Sequence, residues 1–167
     1  MKRIVVASSA VLFLFLASDV AQGCVCFGLS EKPTPEQARA MLVKDYNEAF
    51  AVFSGKVIAL DTFKVKFKVD KMWKGDSGGE VTMSTGAKDN GDGTSTSSSC
   101  DFSFKLGEEY LVYAYGASAG EMQAHACTRT RQMKYAEQET KELDEVWPPE
   151  RMNQVDEEPP YVTSRPV

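Results

Sequence analysis

Two of the four cysteines of this chain stand two residues apart, at Cys24 and Cys26, and the others lie far downstream, at Cys100 and Cys127. In an oxidising compartment an even set is expected to pair completely. Four cysteines allow three pairings, and spacing alone does not choose among them. Bridges from the close pair to the distant cysteines would close long loops. In the chain-entropy model each removes roughly 4 kcal/mol of unfolded-state freedom.

The sequence ahead of the pair predicts that compartment. "MKRIVVASSAVLFLFLASDVAQG" opens with basic Lys2 and Arg3, runs apolar from Ile4 to Ala17, and carries small Ala21 and Gly23 before a cut. This pattern predicts a secretory signal peptide over residues 1–23. The apolar run falls short of the ~20 residues a membrane span needs, and no later stretch approaches it. The mature chain then starts on Cys24 and is expected to be secreted. A first-position cysteine is also the acceptor in bacterial lipoproteins. That signal wants a large aliphatic residue and then a small one at positions held here by Ala21 and Gln22. Acylating Cys24 would also leave an odd cysteine, so lipid anchoring and a periplasmic site are the weaker alternatives.

Along the mature chain, "TPEQARAMLVKDYNEAF" (34–50) predicts a helix, with Thr34, Pro35 and Gln37 forming a capping-box start. Ala38, Met41, Leu42, Tyr46, Ala49 and Phe50 follow at helical spacing, one face for a core. "FAVFSGKVIAL" reads as a first strand. "KVKFKVDKMW" alternates Val65, Phe67 and Val69 against Lys64, Lys66, Lys68 and Asp70, a strand with one wet face. The lysines read as a solvated face that discourages edge pairing. "GEVTMSTG", "EEYLVYAYG" and "EMQAHACTR" predict three more strands. "AKDNGDGTSTSSS" reads as a surface loop. Its "DNGDG" hints at calcium, but the twelfth position from Asp89 is Cys100, where an EF-hand needs Glu. "KYAEQETKELDEVW" predicts a last helix with Ala136, Leu143 and Trp147 on one side, stopped by Pro148 and Pro149. Residues 148–167 lack periodicity and read as a disordered, acidic, proline-rich tail. Five strands, turn-rich joints and flanking helices predict a small closed or partly open Greek-key barrel in a single domain over 24–147.

Chemistry-bearing constellations are scarce. The single histidine, His125, lies in a predicted strand with no second histidine to serve a triad, and no Gly-x-Ser-x-Gly elbow occurs. "SGKVI" lacks the rest of a phosphate loop. Cys24 and Cys26 have no matching second pair at ligand spacing, so no zinc site of the chain's own is read from them. The expectation is a non-enzyme without cofactor. A net charge of −5, with acid gathered after Glu137, gives no nucleic-acid footprint.

Cys24-Val25-Cys26 at the mature start, "VFSGKVI", "VKFKVDKMWKG", "SCDFSFKLGEEYLVYAYG" and "HACTRT" together resemble the tissue inhibitors of metalloproteinases, in the amino-terminal, netrin-like domain of that family. The likeness runs from Cys24 to about Trp147. It implies a mainly β, five-stranded OB-like barrel with flanking helices, with Cys24 bonded to Cys100 and Cys26 to Cys127. It further implies a monomeric inhibitor of a zinc metalloendopeptidase. The free amine and carbonyl of Cys24 would chelate the partner's zinc, Val25 would enter the adjacent pocket, and Cys26, Phe27, Ser98 and Ser99 would line the neighbouring contacts. The chain departs from the animal members in lacking a third bridge here and a second cysteine-rich domain, and in its short "DTF" joint between the first two strands. Netrin-like modules also occur as plain extracellular binding domains, in which Cys-x-Cys is only a staple, and that is the alternative reading.

Overall fold

The computed structural model describes residues 23–26, 32–76 and 78–151, the last two by backbone only. The expected signal segment up to residue 22, Phe27 and the tail beyond residue 151 lie outside the described residues.

Helix α1 spans Pro35–Glu48, and its start is written locally. Thr34 Oγ1 accepts from Gln37 N–H at 3.2 Å, and Gln37 Oε1 accepts from Thr34 N–H at 2.9 Å. These bonds satisfy two groups that a helix start otherwise leaves orphaned. Its buried stripe is narrower than the sequence predicts: Leu42, Tyr46 and Ala49 are buried, whereas Met41 and Phe50 are exposed. Met41 lies one residue, about 100° of helix, off the stripe, and Phe50 falls past the helix end. Lys74, from the sheet, donates to the carbonyls of Tyr46 and Asn47 at 2.9 and 2.8 Å, supplying the cation that the last turn lacks.

The protein is mainly β. Its sheet contains β1 (Ala51–Leu60), β2 (Lys64–Lys74), β3 (Glu80–Ser84), β6 (Glu109–Ala114) and β7 (Arg131–Gln132). These pair antiparallel in the order β3-β2-β1-β6-β7, and a short β8 (Glu150–Arg151) pairs with β2. Between β3 and β6 the polar loop carries a small hairpin, β4 (Lys88–Asp89) with β5 (Ser95–Thr96), which the sequence did not announce. There Asp89 Oδ1 accepts from Gly91 N–H, and Asp92 Oδ1 accepts from both Thr94 N–H and its hydroxyl. These bonds hold the Asp92 carboxyl below its usual range and use its oxygen within the turn.

β1 is buried on both faces from Ala51 to Gly55 because two cores meet across it. One face sends Phe53 and Val57 to join Val65, Phe67, Val69, Val81, Met83, Phe104, Tyr110 and Val112. The other sends Val52 to join Leu42, Tyr46, Trp73, Leu111, Tyr113 and Leu143 beneath the helices. Register irregularities interrupt the β1–β2 ladder at three places. At one of them a Cβ on Gly55 would sit 2.7 Å from Lys68 O, so only glycine lets the strands approach there.

The second helix, α2 (Glu137–Val146), starts three residues later than the pattern indicates because Met133–Tyr135 form a 3-10 turn. It docks through Leu143 and Ala136, while Trp147 stacks on Tyr46 at 3.7 Å between ring centroids. Trp73 Nε1–H and Lys71 Nζ donate to the two oxygens of Asp144 at 2.9 and 2.7 Å, so the indole is buried with its polar edge satisfied.

The expected fifth strand, residues 121–129, is not a ladder strand. Met122 and Ala124 are buried, but Ala126, next in the alternation, is exposed. The segment instead makes two isolated bridges, Gln123 with Tyr115 and His125 with Asp101, and the fifth strand of the sheet is β7. A single hydrogen bond, Ser84 N–H to Met122 O at 2.8 Å, ties the β3 edge to this segment. Among the described residues no ladder closes the sheet into a barrel.

Candidate partner-binding edge

Two short segments bring Cys100 and Cys127 together. Ser98 N–H donates to Asp101 Oδ2 at 2.7 Å, Asp101 N–H donates back to Ser98 O at 3.0 Å, and Cys100 N–H donates to Ser98 Oγ at 3.1 Å. The Ser98 hydroxyl closes an ST-type turn, and Asp101 reaches back to it, so "SSSCD" builds the turn without outside help. Against it runs the 123–127 segment. Ala126 N–H donates to Cys100 O at 2.7 Å, and Phe102 N–H donates to Ala124 O at 3.2 Å. The His125 carbonyl accepts from the N–H and the hydroxyl of Thr128, closing the turn that carries Cys127. The His125 ring is half-buried, with Nε2 3.1 Å from Gln123 Nε2.

The Cys-x-Cys segment lies across these two turns. Cys24 is bonded to Cys100 and Cys26 to Cys127, with Cα–Cα separations of 4.9 and 5.2 Å. The bridges are neighbours: Cys24 Sγ is 3.7 Å from Cys127 Sγ. Between them Val25 is 76 % exposed, an apolar side chain with no core to enter. Ser98 and Ser99 are exposed and chain-adjacent to Cys100. Gly23 is exposed too, and nothing stands within 4 Å of where its Cβ would be. The edge thus gathers Cys24, Val25, Cys26, Ser98 and Ser99. Of the residues expected there, Phe27 alone lies outside the described residues.

A charged latch just past Cys127 escaped the sequence reading. Arg129 donates from Nε and Nη2 to the two oxygens of Glu139 at 2.8 and 3.1 Å. Arg131 pairs with the same carboxylate at 3.0 Å, and the Tyr113 hydroxyl donates to it at 2.8 Å. Arg129 also reaches Asp45 of α1 at 3.4 Å. The latch therefore ties the arm that carries Cys127 to both helices and to β6. Burial, and then the charge of Glu139, pushes the Tyr113 hydroxyl far above its ordinary pKa. Burial opposes the charge on Arg129, but the hydrogen bonds and charge of Glu139 outweigh it and hold the guanidinium above its usual value. A signal did exist in the sequence. Glu139 falls at helical spacing between Ala136 and Leu143, on the apolar side of the helix.

A scan against protein-family models returns no match for the chain, and a search of curated proteins returns none either. Among the described residues, no helix is long and apolar enough to cross a membrane.

Proposed function

We propose that the chain is a secreted protein inhibitor of zinc metalloendopeptidases, on an OB-like, netrin-like domain. Cleavage after Gly23 would present Cys24 as the reactive end. The observation that carries this reading is Val25, left 76 % exposed between two cysteines that are each bridged to the body of the protein. Burial cannot hold such a side chain, so the bridges set its position. Two covalent ties within three residues make the segment preorganised, which lowers the ordering cost of binding.

The chemistry of the partner's metal completes the argument. A catalytic zinc keeps an open position, normally filled by water. The free amine and carbonyl oxygen of Cys24 would close a five-membered chelate on that zinc. An α-amine with a pKa near ~8 has a usable neutral fraction at neutral pH, whereas a lysine amine near ~10.4 has little. Val25 then enters the pocket beside the metal, and Ser98, Ser99 and Phe27 extend the contact. The cysteines act as scaffold and the amine acts on the metal. The OB-like assignment draws support from β1 pairing with both β2 and β6 and from the Ser84–Met122 link across the open side.

Adding one alanine before Cys24 tests the mechanism. The extended protein is expected to keep its fold, read by circular dichroism, and to lose inhibition against a panel of zinc endopeptidases that the Cys24-initiated protein inhibits. Equal inhibition by both proteins overturns the chelation mechanism. Inhibition by neither leaves the plain binding module.

A further inference from the structure

The sequence offers no second cysteine pair at ligand spacing, yet the fold brings three of the four sulfurs together, with the fourth bonded to one of them. Sγ of Cys24, Cys26 and Cys127 lie within 4.8 Å of one another, and Cys100 is bonded to the first of these. We propose that, once both bridges are reduced, Cys24, Cys26, Cys100 and Cys127 form a four-thiolate site for a single thiophilic divalent cation such as Zn2+.

Geometry carries the proposal. Four sulfurs each about 2.3 Å from a tetrahedral zinc stand about 3.8 Å apart. The contact between the two bridges, Cys24 Sγ to Cys127 Sγ, is already 3.7 Å. The bonded sulfurs would have to part by only about 2 Å, a movement within reach of side-chain rotation. Two of the ligands also have supports that do not depend on sulfur. Cys100 and Cys127 sit on segments joined by the Cys100–Ala126 hydrogen bond and the Asp101–His125 bridge, and Arg129 latches the second segment to Glu139. Cys24 and Cys26 are joined to Lys32 by a short stretch of chain, which keeps their effective concentration high. Metal binding would then order that end.

The redox step balances. Each bridge takes two electrons and two protons from a dithiol, which becomes a disulfide, and the four thiols release four protons on binding the cation. A disulfide sulfur is not a thiolate, so the oxidised protein has no such site. Re-forming the bridges would expel the ion. The proposal stands apart from protease inhibition and needs no free amine.

The test is a Co2+ titration of the full chain under argon, after reduction by a phosphine and removal of the reductant. The expected result is a single equivalent bound with the intense thiolate charge-transfer and red d–d bands of a tetrahedral sulfur site, displaced by Zn2+ and absent from the oxidised protein. Cys100→Ser and Cys127→Ser should each weaken Co2+ by roughly 100-fold or more, beyond the usual loss of an outer-sphere partner. Near-UV circular dichroism of the reduced protein with Zn2+ guards against binding by an unfolded chain. A tertiary signal retained or regained supports the site, and a signal that Zn2+ does not restore overturns it. Octahedral spectra, equal binding by the oxidised protein, or unchanged affinity in Cys100→Ser also overturn it.

Discussion

Val52 and Val25 are the same residue type in opposite circumstances. Val52 is 0 % exposed under the helices, and Val25 is 76 % exposed on the bridged edge. Around Val52 position follows from burial: Leu42, Tyr46, Trp73, Leu111, Tyr113 and Leu143 close over it, and many small contacts add up. Around Val25 no such packing exists, and two sulfur bridges do the positioning instead. The comparison teaches that the core and the edge should fail independently. A core change alters stability, while an edge change alters what the protein binds.

The largest effect expected on the core side comes from Phe53→Ala. Phe53 is fully buried and meets the Phe67 ring edge-on at 5.3 Å. Its loss should cost about 3–5 kcal/mol, read by denaturant unfolding. A cost below about 1 kcal/mol would show that this face of the sheet is not the packed core. Val25→Gly is the matching change at the edge. It should leave the unfolding midpoint in place and weaken inhibition by about 1.5–3 kcal/mol, the value of one fully buried apolar side chain. An unchanged inhibition constant across several proteases would remove Val25 as the pocket residue.

The smallest effect separates the two regions by pH. Tyr115 is pushed up to about 12, first by burial and then by the carboxylates of Asp45 and Glu48, while Tyr46 and Tyr113 are also raised, chiefly by burial. A hydroxyl whose folded pKa exceeds its unfolded value of about 10 contributes stability that is complete below that value. The contribution is lost as pH climbs through the folded pKa. Unfolding should therefore become easier from about pH 10 upward, followed by tyrosinate absorbance. The bridged edge contributes none of these groups. Stability that stays flat through that window would show the tyrosines to be solvated.

How much of this was legible beforehand depends on the range over which each feature is decided. The start of α1 follows from residues 34–37 alone, and the wet lysine face of β2 follows from strict alternation over seven residues. Both are local, and both are seen. Residues 121–129 show the limit. Met122 and Ala124 are buried there, but a ladder needs a continuous run of paired residues, and among the described residues the segment makes only isolated bridges, with Tyr115 and Asp101. The β4–β5 hairpin was hidden because its side chains are all exposed and leave no pattern.

By itself, the sequence determined the helix cap, the alternating strands, the even cysteine set and the short spacing that makes Cys24 and Cys26 act as one unit. Each is a matter of neighbours along the chain, where sterics and periodicity need no distant partner. Only the tertiary structure decided which acid of α2 is buried against Arg129, that no ladder among the described residues closes the sheet, and that two bridges touch at 3.7 Å. Those outcomes join residues far apart in the chain, and their positions relative to one another are set by how the sheet curls and where the helices lie on it.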